Sequence, residues 1–207
     1  MLDIEAFKRI KECESRHQHV CNFCELFKAS GAQGMVLEFG VFQGRSLGWI
    51  AECLKTKTAF GFDTFTGLPE AWDYSARPEA NKYAPGHFDT TKRGLLPLPP
   101  NVELIRGRFQ DTLPGFLKEH PGPAGLVHID SDIYSAAAFV LEALEPRIYP
   151  GTILAFDELF DLQEVQVYDR WREGEWKALD EWIERHGRVV EPMLRTTKYQ
   201  GVVRVVK

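Results

Sequence analysis

The sequence predicts a doubly wound α/β fold with a mostly parallel sheet. Short apolar stretches alternate along the chain with stretches in which apolar residues recur at helical spacing. Several of the strand-like stretches end on a carboxylate, and the first of these leads through two glycines into a helix. Because the alternation continues without a linker or an internal repeat, we expect a single domain over residues 1–207.

The composition is that of a globular protein with room for a substantial core. Hydrophobic residues make up 44% of the 207 positions and charged residues 27%. The formal net charge of −5 argues against a nucleic-acid partner, because proteins that bind polyanions present a basic face. No apolar run approaches the roughly 18 residues of a membrane span, and the charged N-terminus lacks a signal-peptide pattern. We therefore expect a cytoplasmic protein with no membrane partner.

The predicted elements follow one another in the order of an α/β sheet. An N-terminal helical segment (1–34) contains one predicted helix, over 3–29. The next strands are predicted at 36–39 and 58–63, with a helix over 44–54 between them. Later strands are predicted at 102–106, 125–130 and 151–157, helices at 114–119, 135–144 and 175–186, and a closing antiparallel pair at 188–192 and 201–206.

Residues 64–100 form a long segment with little periodicity, and they include prolines, aromatic residues and His87. Loops of this length inside a compact domain are usually functional. We interpret the segment as a substrate loop or lid. The alternative is an unrecognised helix with a mobile tip.

Four cysteines, Cys13, Cys21, Cys24 and Cys53, raise the question of a zinc site near His17. On a single helix, the stripe from Cys13 to Cys24 would span roughly 16 Å. Ligands spread over that distance cannot converge on one tetrahedral ion. We therefore expect the cysteines to be small buried apolar residues, with a reactive or redox pair as the alternative.

The turn from Glu38 through Gly40 and Gly44 is the most informative stretch of the chain. It places backbone N–H groups and a helix N-terminus at the carboxyl edge of the sheet, where ligands of open α/β folds bind. Glu38 would repel a pyrophosphate and could hold a cationic amine. The turn therefore favours a cofactor that carries an amino acid over a dinucleotide.

Four predicted strands end on an acid: Glu38, Asp63, Asp130 and Asp157. In a parallel sheet these ends meet at one edge, and packing alone does not explain so many unpaired charges there. Asp63 lies at the end of the second strand, where an acid commonly accepts hydrogen bonds from ribose hydroxyls.

The acids of the later strands are expected on the substrate side, where Glu158 follows Asp157 and Asp132 follows Asp130. A cluster of oxygen ligands without a thiolate suits Mg²⁺, and its like charges require a cation nearby. The alternative is that one acid is protonated or is paired with an arginine such as Arg108 or Arg147.

Five motifs in this order resemble the class I S-adenosylmethionine-dependent methyltransferases, and specifically the TylF/MycF (macrocin O-methyltransferase-like) family. The resemblance covers about residues 35–181 and implies a Rossmann-like, seven-stranded sheet with the strand order 3-2-1-4-5-7-6 and an antiparallel C-terminal pair. The motifs are residues 37–46, 61–69, 107–114, 128–134 and 151–158.

The resemblance implies S-adenosylmethionine as cofactor and Mg²⁺ as metal. It assigns Glu38, Gly40 and Ser46 to the methionine end of the cofactor and Asp63 to the ribose. The remaining expected cofactor contacts are Phe42, Gln43, Gly44, Thr64, Phe65 and Asp130, with Phe109 and Gln110 beside the adenine. Asp130, Asp157 and Glu158 would hold the metal, where the family often has two consecutive aspartates.

The expected reaction is methyl transfer to a hydroxyl of a small polar metabolite, with glycosyl hydroxyls as the family-level expectation. Asp130 is the expected base, and His128 and His87 are alternatives. N-terminal regions of such enzymes often form lids or dimer contacts, which leaves a homo-oligomer open. Two rival classes remain: an NAD-dependent oxidoreductase, although the turn lacks the G-x-G-x-x-G spacing, and a catalytically silent member of the fold.

Overall fold

The computed structural model describes residues 2–77 and 83–207. Strands and helices alternate over most of this length, as the sequence predicts. The described strands are β1 (Glu12–Cys13), β2 (Met35–Phe39), β3 (Ala59–Asp63), β4 (Val102–Arg106), β5 (Ala124–Ile129), β6 (Ile153–Phe156), β7 (Val190–Thr196) and β8 (Gly201–Val205). The described α-helices are α1 (Ile4–Lys8), α2 (Arg16–Ser30), α3 (Arg45–Cys53), α4 (Phe109–Glu119), α5 (Tyr134–Leu144) and α6 (Glu175–His186).

All the described strands lie in one sheet, in the order β1-β7-β8-β6-β5-β2-β3-β4. Strands β2 to β6 run parallel, and β8 pairs antiparallel with both β6 and β7. Seven of these strands reproduce the order 3-2-1-4-5-7-6 and confirm the predicted C-terminal antiparallel pair. The expected count of seven was wrong, because β1 adds an eighth strand beside β7. A strand of two residues leaves no pattern that a sequence could reveal.

The N-terminal segment corrects the prediction of one long helix over 3–29. Two helices, α1 and α2, flank β1 instead. Ser15 starts α2 because its side-chain oxygen accepts a hydrogen bond from the backbone N–H of Gln18 at 3.1 Å. Cys13 therefore lies on β1, away from the helix that carries Cys21 and Cys24.

The four cysteines are free thiols. Cys13 and Cys24 are buried, which confirms for these two the expected apolar role. Cys21 and Cys53 are half-buried, with their sulfur atoms 3.6 Å apart between α2 and α3. No cluster of metal-ligating groups among the described residues includes a cysteine.

The start of helix α4 differs from its prediction, which had placed the helix start at a proline. Helix α4 begins at Phe109, five residues before the predicted start at Pro114, which lies inside the helix. Proline is most common in the first turn of a helix, and the sequence prediction relied on that preference. Helix α6 and strand β4 have the predicted bounds, and Gly187 ends α6 in the left-handed conformation with φ +60°.

The centre of the sheet is covered on both faces. Every residue of β2 and β5 is buried, as expected for parallel strands between two layers of helices. The carboxyl ends of these central strands meet at one edge. In the described part of 64–100, the only pairing of strand type is an isolated bridge between Trp72 and Tyr83. Among the described helices, none has the length and apolarity needed to cross a membrane.

Candidate active site

A cavity of about 460 Å³ opens at the carboxyl edge of the sheet, a volume within the usual range for a site that holds a small molecule. Loops after β2, β3, β5 and β6 form its walls, together with the start of α4. The predicted site residues that line it are Gly40, Phe42, Gln43, Ser46, Asp63, Thr64, Phe109, Gln110, Asp130, Asp157 and Glu158. Most of the predicted site is therefore brought together in one place.

The glycine turn has a backbone that other residues cannot adopt without strain. Gly40 has φ +93°, and a Cβ built on it would lie 1.7 Å from the backbone oxygen of Asp130. Gly44 has φ +86° and is the N-cap of α3, where a Cβ would lie 2.7 Å from the Leu98 side chain. The turn thus depends on both glycines to bring the start of α3 against the cavity.

Asp63 holds this turn in place. Its Oδ2 accepts hydrogen bonds from the backbone N–H groups of Val41 and Phe42, each at 2.8 Å, and its Oδ1 accepts one from Phe65 at 2.6 Å. Phe42 and Phe65 have positive φ values of 51° and 58°, so the carboxylate stabilises two strained residues. Carboxylate oxygens accept more than one hydrogen bond each, and Asp63 still faces the cavity.

Five predicted site residues do not line the cavity: Glu38, Gly44, Phe65, His87 and His128. Glu38 and His128 lie beneath its floor, fully buried, with His128 Nδ1 and Glu38 Oε1 2.8 Å apart. Burial acts to lower the pKa of His128, but the hydrogen bond to Glu38 and the negative charges of Glu38, Asp130 and Asp157 together outweigh it and raise the pKa. Phe65 is also buried, and the Arg106 guanidinium lies 4.4 Å from its ring centre.

His87 is exposed on the loop after β3, where its ring contacts Tyr83 and Phe88, each at 4.4 Å between ring centres. It does not line the cavity, whereas Tyr83 and Phe88 do, together with Trp72. The Trp72 and Tyr83 rings are stacked at 5.3 Å. The loop therefore contributes an aromatic wall formed by Trp72, Tyr83 and Phe88.

The acidic end of the cavity is formed by Asp130, Asp157 and Glu158. Each offers an oxygen within 4.8 Å of the others. Burial raises the pKa of Asp130 to about 7 and raises the pKa of Glu158 well above its ordinary value, with a further increase from Asp157. For Asp157, Arg16 and His128 outweigh burial and lower the pKa.

Arg16 is the cationic partner of this cluster. Its guanidinium bridges two carboxylates, with Nε 2.8 Å from Asp157 Oδ1 and a terminal nitrogen donating to Asp130 Oδ2. The alternative of an arginine partner is therefore met, but by Arg16 and not by the two arginines named as examples. Arg147 donates to backbone oxygens of Leu117 and Pro121, and Arg108 is the N-cap of α4 and lines the same cavity.

Sequence reasoning also missed Glu175, the first residue of α6. Its fully buried carboxylate accepts hydrogen bonds from the backbone N–H of Ser131 at 3.3 Å and of Glu158 at 3.0 Å. Burial raises its pKa well above the ordinary value. Glu175 thus ties together the two loops that carry the acidic cluster.

The chemistry of the site fits the two groups that the sequence implies. For a metal, three carboxylates present hard oxygen donors, and Glu158 Oε2 lies out of solvent with no hydrogen-bond donor. For a nucleoside cofactor, the glycine turn brings backbone groups of Gly40 to the cavity wall, and it can do so only without a Cβ at Gly40, which would meet the Asp130 backbone oxygen. Asp63 and the ring of Phe109 border the same space.

Comparisons with known proteins lead to methyltransferases. A relative from Streptomyces olivaceus, named 8-demethyl-8-(2,3-dimethoxy-alpha-L-rhamnosyl)-tetracenomycin-C 4'-O-methyltransferase, is 26% identical over 154 residues, covering 65% of this chain and 56% of the relative. The chain therefore spans little more than half the length of that protein. This similarity does not test the narrower assignment to the TylF/MycF family, which stays a prediction.

Solved structures share the fold. The calicheamicin methyltransferase CalS11 aligns with a TM-score of 0.66 at 24% identity, covering 92% of this chain and 80% of that one. An O-methyltransferase from Bacillus cereus, solved in complex with SAH, aligns with a TM-score of 0.56 at 17% identity, covering 99% and 87%. A methyltransferase domain family matches residues 37–159, more than half of the sequence. The chain therefore belongs to the methyltransferase domain family.

Proposed function

We propose that this protein is an S-adenosylmethionine-dependent O-methyltransferase that acts on a hydroxyl of a small polar natural product. One observation carries the proposal. A single cavity is lined by residues of two kinds: Gly40 of the glycine turn with Asp63, and the acidic residues Asp130, Asp157 and Glu158. The first set suits a nucleoside cofactor that carries an amino acid, and the second suits an acceptor hydroxyl.

On the cofactor side, the protein has to hold and orient its ligand. S-adenosylmethionine would supply a methyl group bonded to a sulfonium sulfur. A hydroxyl oxygen placed in line with that bond can take the methyl group, and the sulfur leaves as a neutral thioether. We assign Asp63 to the ribose, Phe109 and Gln110 to the adenine, and the backbone around Gly40 and Ser46 to the methionine end. Glu38 supports that end from beneath, through its hydrogen bond with His128.

On the acceptor side, Asp130 is placed to take the hydroxyl proton. Burial raises its pKa to about 7, against the opposing effect of Arg16, so the carboxylate can accept a proton near neutral pH. A divalent ion held by Asp130, Asp157 and Glu158 would lower the pKa of the acceptor hydroxyl. His128 lies beneath the floor and His87 outside the cavity, so neither is as well placed as Asp130.

The acceptor class that fits the remaining wall is a glycosylated small molecule. Trp72 and Tyr83 line the cavity as a stacked pair, and aromatic rings pack against the C–H groups of a sugar or against an aromatic aglycone. The name of the Streptomyces olivaceus relative describes methyl transfer to a 4' oxygen on a rhamnosylated compound. We propose a glycosyl hydroxyl as acceptor for this chain as well.

The test is methyl transfer to a panel of rhamnosylated and other glycosylated aromatic compounds, followed by mass spectrometry of the products. We expect an O-methylated glycoside together with SAH, and a rate about 10²–10⁴-fold lower in Asp130→Asn because the base is lost. Asp111→Asn, an exposed acid on α4, serves as control. SAH binding without transfer to any acceptor in the panel would contradict the proposal and favour a silent member of the fold.

A further inference from the structure

The Arg16 guanidinium contacts Asp130 and Asp157, two of the three carboxylates proposed to hold a divalent ion. A guanidinium in contact with both carboxylates opposes the binding of a divalent ion there, because two cations only a few ångströms apart repel each other. We propose that Arg16 is a displaceable internal counter-ion: its guanidinium and a divalent cation are alternative occupants of the Asp130–Asp157 pair. Arg16 would then set the metal affinity of the site. This inference rests on the metal site of the proposed function.

The surroundings of Arg16 allow its side chain to leave while its backbone stays. The side chain is 41% exposed, whereas that of Asp157 is 5% exposed. The backbone at the start of α2 is held by the Ser15 cap, and strand β1 is held by its pairing with β7. Exchange therefore needs rotation of one arginine side chain towards solvent and no unfolding of α2.

Arg16 also satisfies the acidic cluster only in part. It contributes one positive charge to a site that contains Asp130, Asp157 and Glu158. Among the described residues, its ion pairs are with Asp130 and Asp157. Glu158 Oε2 remains out of solvent with no hydrogen-bond donor. A divalent cation would engage all three carboxylates, since hard cations take several oxygen ligands at once. The geometry therefore suits an arginine that a metal ion can replace.

The test measures Mn²⁺ binding to the protein without cofactor or acceptor, by the loss of the free Mn²⁺ signal in electron paramagnetic resonance. We expect Arg16→Gln to bind Mn²⁺ about tenfold more tightly than wild type, because the competing ion pairs are gone. Arg16→Lys should fall between the two, since an ammonium group cannot bridge two carboxylates as a guanidinium does. Arg45→Gln is the matched control, because Arg45 lines the same cavity and is exposed.

A second readout follows the arginine itself. In the wild type, adding Mg²⁺ should move the Nε–Hε resonance of Arg16 towards that of a solvent-exposed arginine. Equal Mn²⁺ affinity in wild type and Arg16→Gln would overturn the proposal, as would an equal gain in Arg45→Gln or no Mn²⁺ binding in any of these proteins. SAH titrations on the same samples separate this failure from failure of the proposed function, since SAH binding does not require the exchange.

Discussion

Glu38 and His128 form a fully buried hydrogen-bonded pair, with 2.8 Å between Glu38 Oε1 and His128 Nδ1. They lie on neighbouring parallel strands and are register partners across β2 and β5. The pair lies directly beneath the glycine turn and the acidic cluster. Two residues expected to face ligands therefore act on the site through the floor that they stabilise.

If the pair is structural, removing one partner should be costly. His128→Leu leaves the Glu38 carboxylate buried without its donor, so we expect a loss of about 3 kcal/mol in the free energy of unfolding. Urea denaturation measures it. The double variant Glu38→Gln with His128→Leu should recover part of the loss, because no buried charge remains. A loss below about 0.5 kcal/mol for His128→Leu, the range of ordinary surface substitutions, would show that the pair does not stabilise the fold.

A methyl group at the glycine turn should weaken cofactor binding. Gly40→Ala would place a Cβ 1.7 Å from the Asp130 backbone oxygen, so the loop after β5 or the turn itself has to move. We expect at least a tenfold loss of SAH affinity, measured by calorimetry. Gly115→Ala is the control: no atom lies within 4 Å of its Cβ, and an alanine inside α4 should stabilise the protein by about 0.5–1 kcal/mol. Wild-type SAH affinity in Gly40→Ala would contradict the described turn.

His19 should make the protein sensitive to acid. Burial lowers its pKa to about 3, with smaller lowering effects from His128 and Arg16 opposed by Asp157. Between about pH 3 and 6.5 the unfolded chain therefore binds a proton that the folded protein excludes, and stability falls as the pH drops through this range. From pH 8 to pH 5 the His19 contribution to this loss is about 2 kcal/mol.

Comparison with a variant isolates that contribution. Asp130, Glu158 and Glu175 have raised pKa values, so these acids stabilise the folded protein as the pH falls. Both wild type and His19→Phe contain them, so their effect cancels when the stabilities of the two proteins are subtracted. The stability of His19→Phe relative to wild type should improve by about 2 kcal/mol on going from pH 8 to pH 5. A parallel pH dependence in wild type and His19→Phe would refute the assignment.

Metal removal tests the acidic cluster as a catalytic element. Treatment with EDTA should lower methyl transfer by about 10²-fold, and Mg²⁺ should restore it, because a metal ion contributes several kcal/mol when it activates a hydroxyl. SAH affinity should stay unchanged, since the residues proposed to hold the cofactor are not the three proposed metal ligands. Unchanged turnover in EDTA would remove the metal from the mechanism.

The aromatic wall should govern acceptor binding and leave the cofactor alone. Trp72→Ala removes the stacked partner of Tyr83, and we expect the KM for the glycosylated acceptor to rise about tenfold. SAH affinity in the same variant serves as internal control. A higher KM for S-adenosylmethionine with an unchanged acceptor KM would show that Trp72 acts on the cofactor and not on the acceptor.

Much of the fold and half of the site chemistry could be predicted from the sequence, because both depend on patterns within short stretches of the chain. Alternating strands and helices predicted the parallel sheet, and a carboxylate at the end of each central strand predicted one acidic edge. Asp63, Asp130 and Asp157 all line the cavity as expected. Parallel topology alone brings such strand ends together.

What the sequence could not predict depends on contacts between distant segments. Arg16 reaches Asp130 across 114 positions, and Glu175 reaches Ser131 across 44. No local pattern encodes such pairings. One signal was present, since Ser15 and Gln18 have the spacing of a helix start. It could have predicted the break in the N-terminal helix, but not the destination of the Arg16 side chain.

The central claim is that this cavity binds S-adenosylmethionine through Asp63 and the glycine turn. Calorimetric titration with SAH, on wild type and Asp63→Ala, tests it most directly. We predict binding well below about 1 mM for wild type and at least a tenfold loss for Asp63→Ala, because the variant loses both the ribose acceptor and the support of the turn. Asp111→Ala should bind as wild type does. No wild-type binding below about 1 mM, or equal affinity in wild type and Asp63→Ala, would contradict the account.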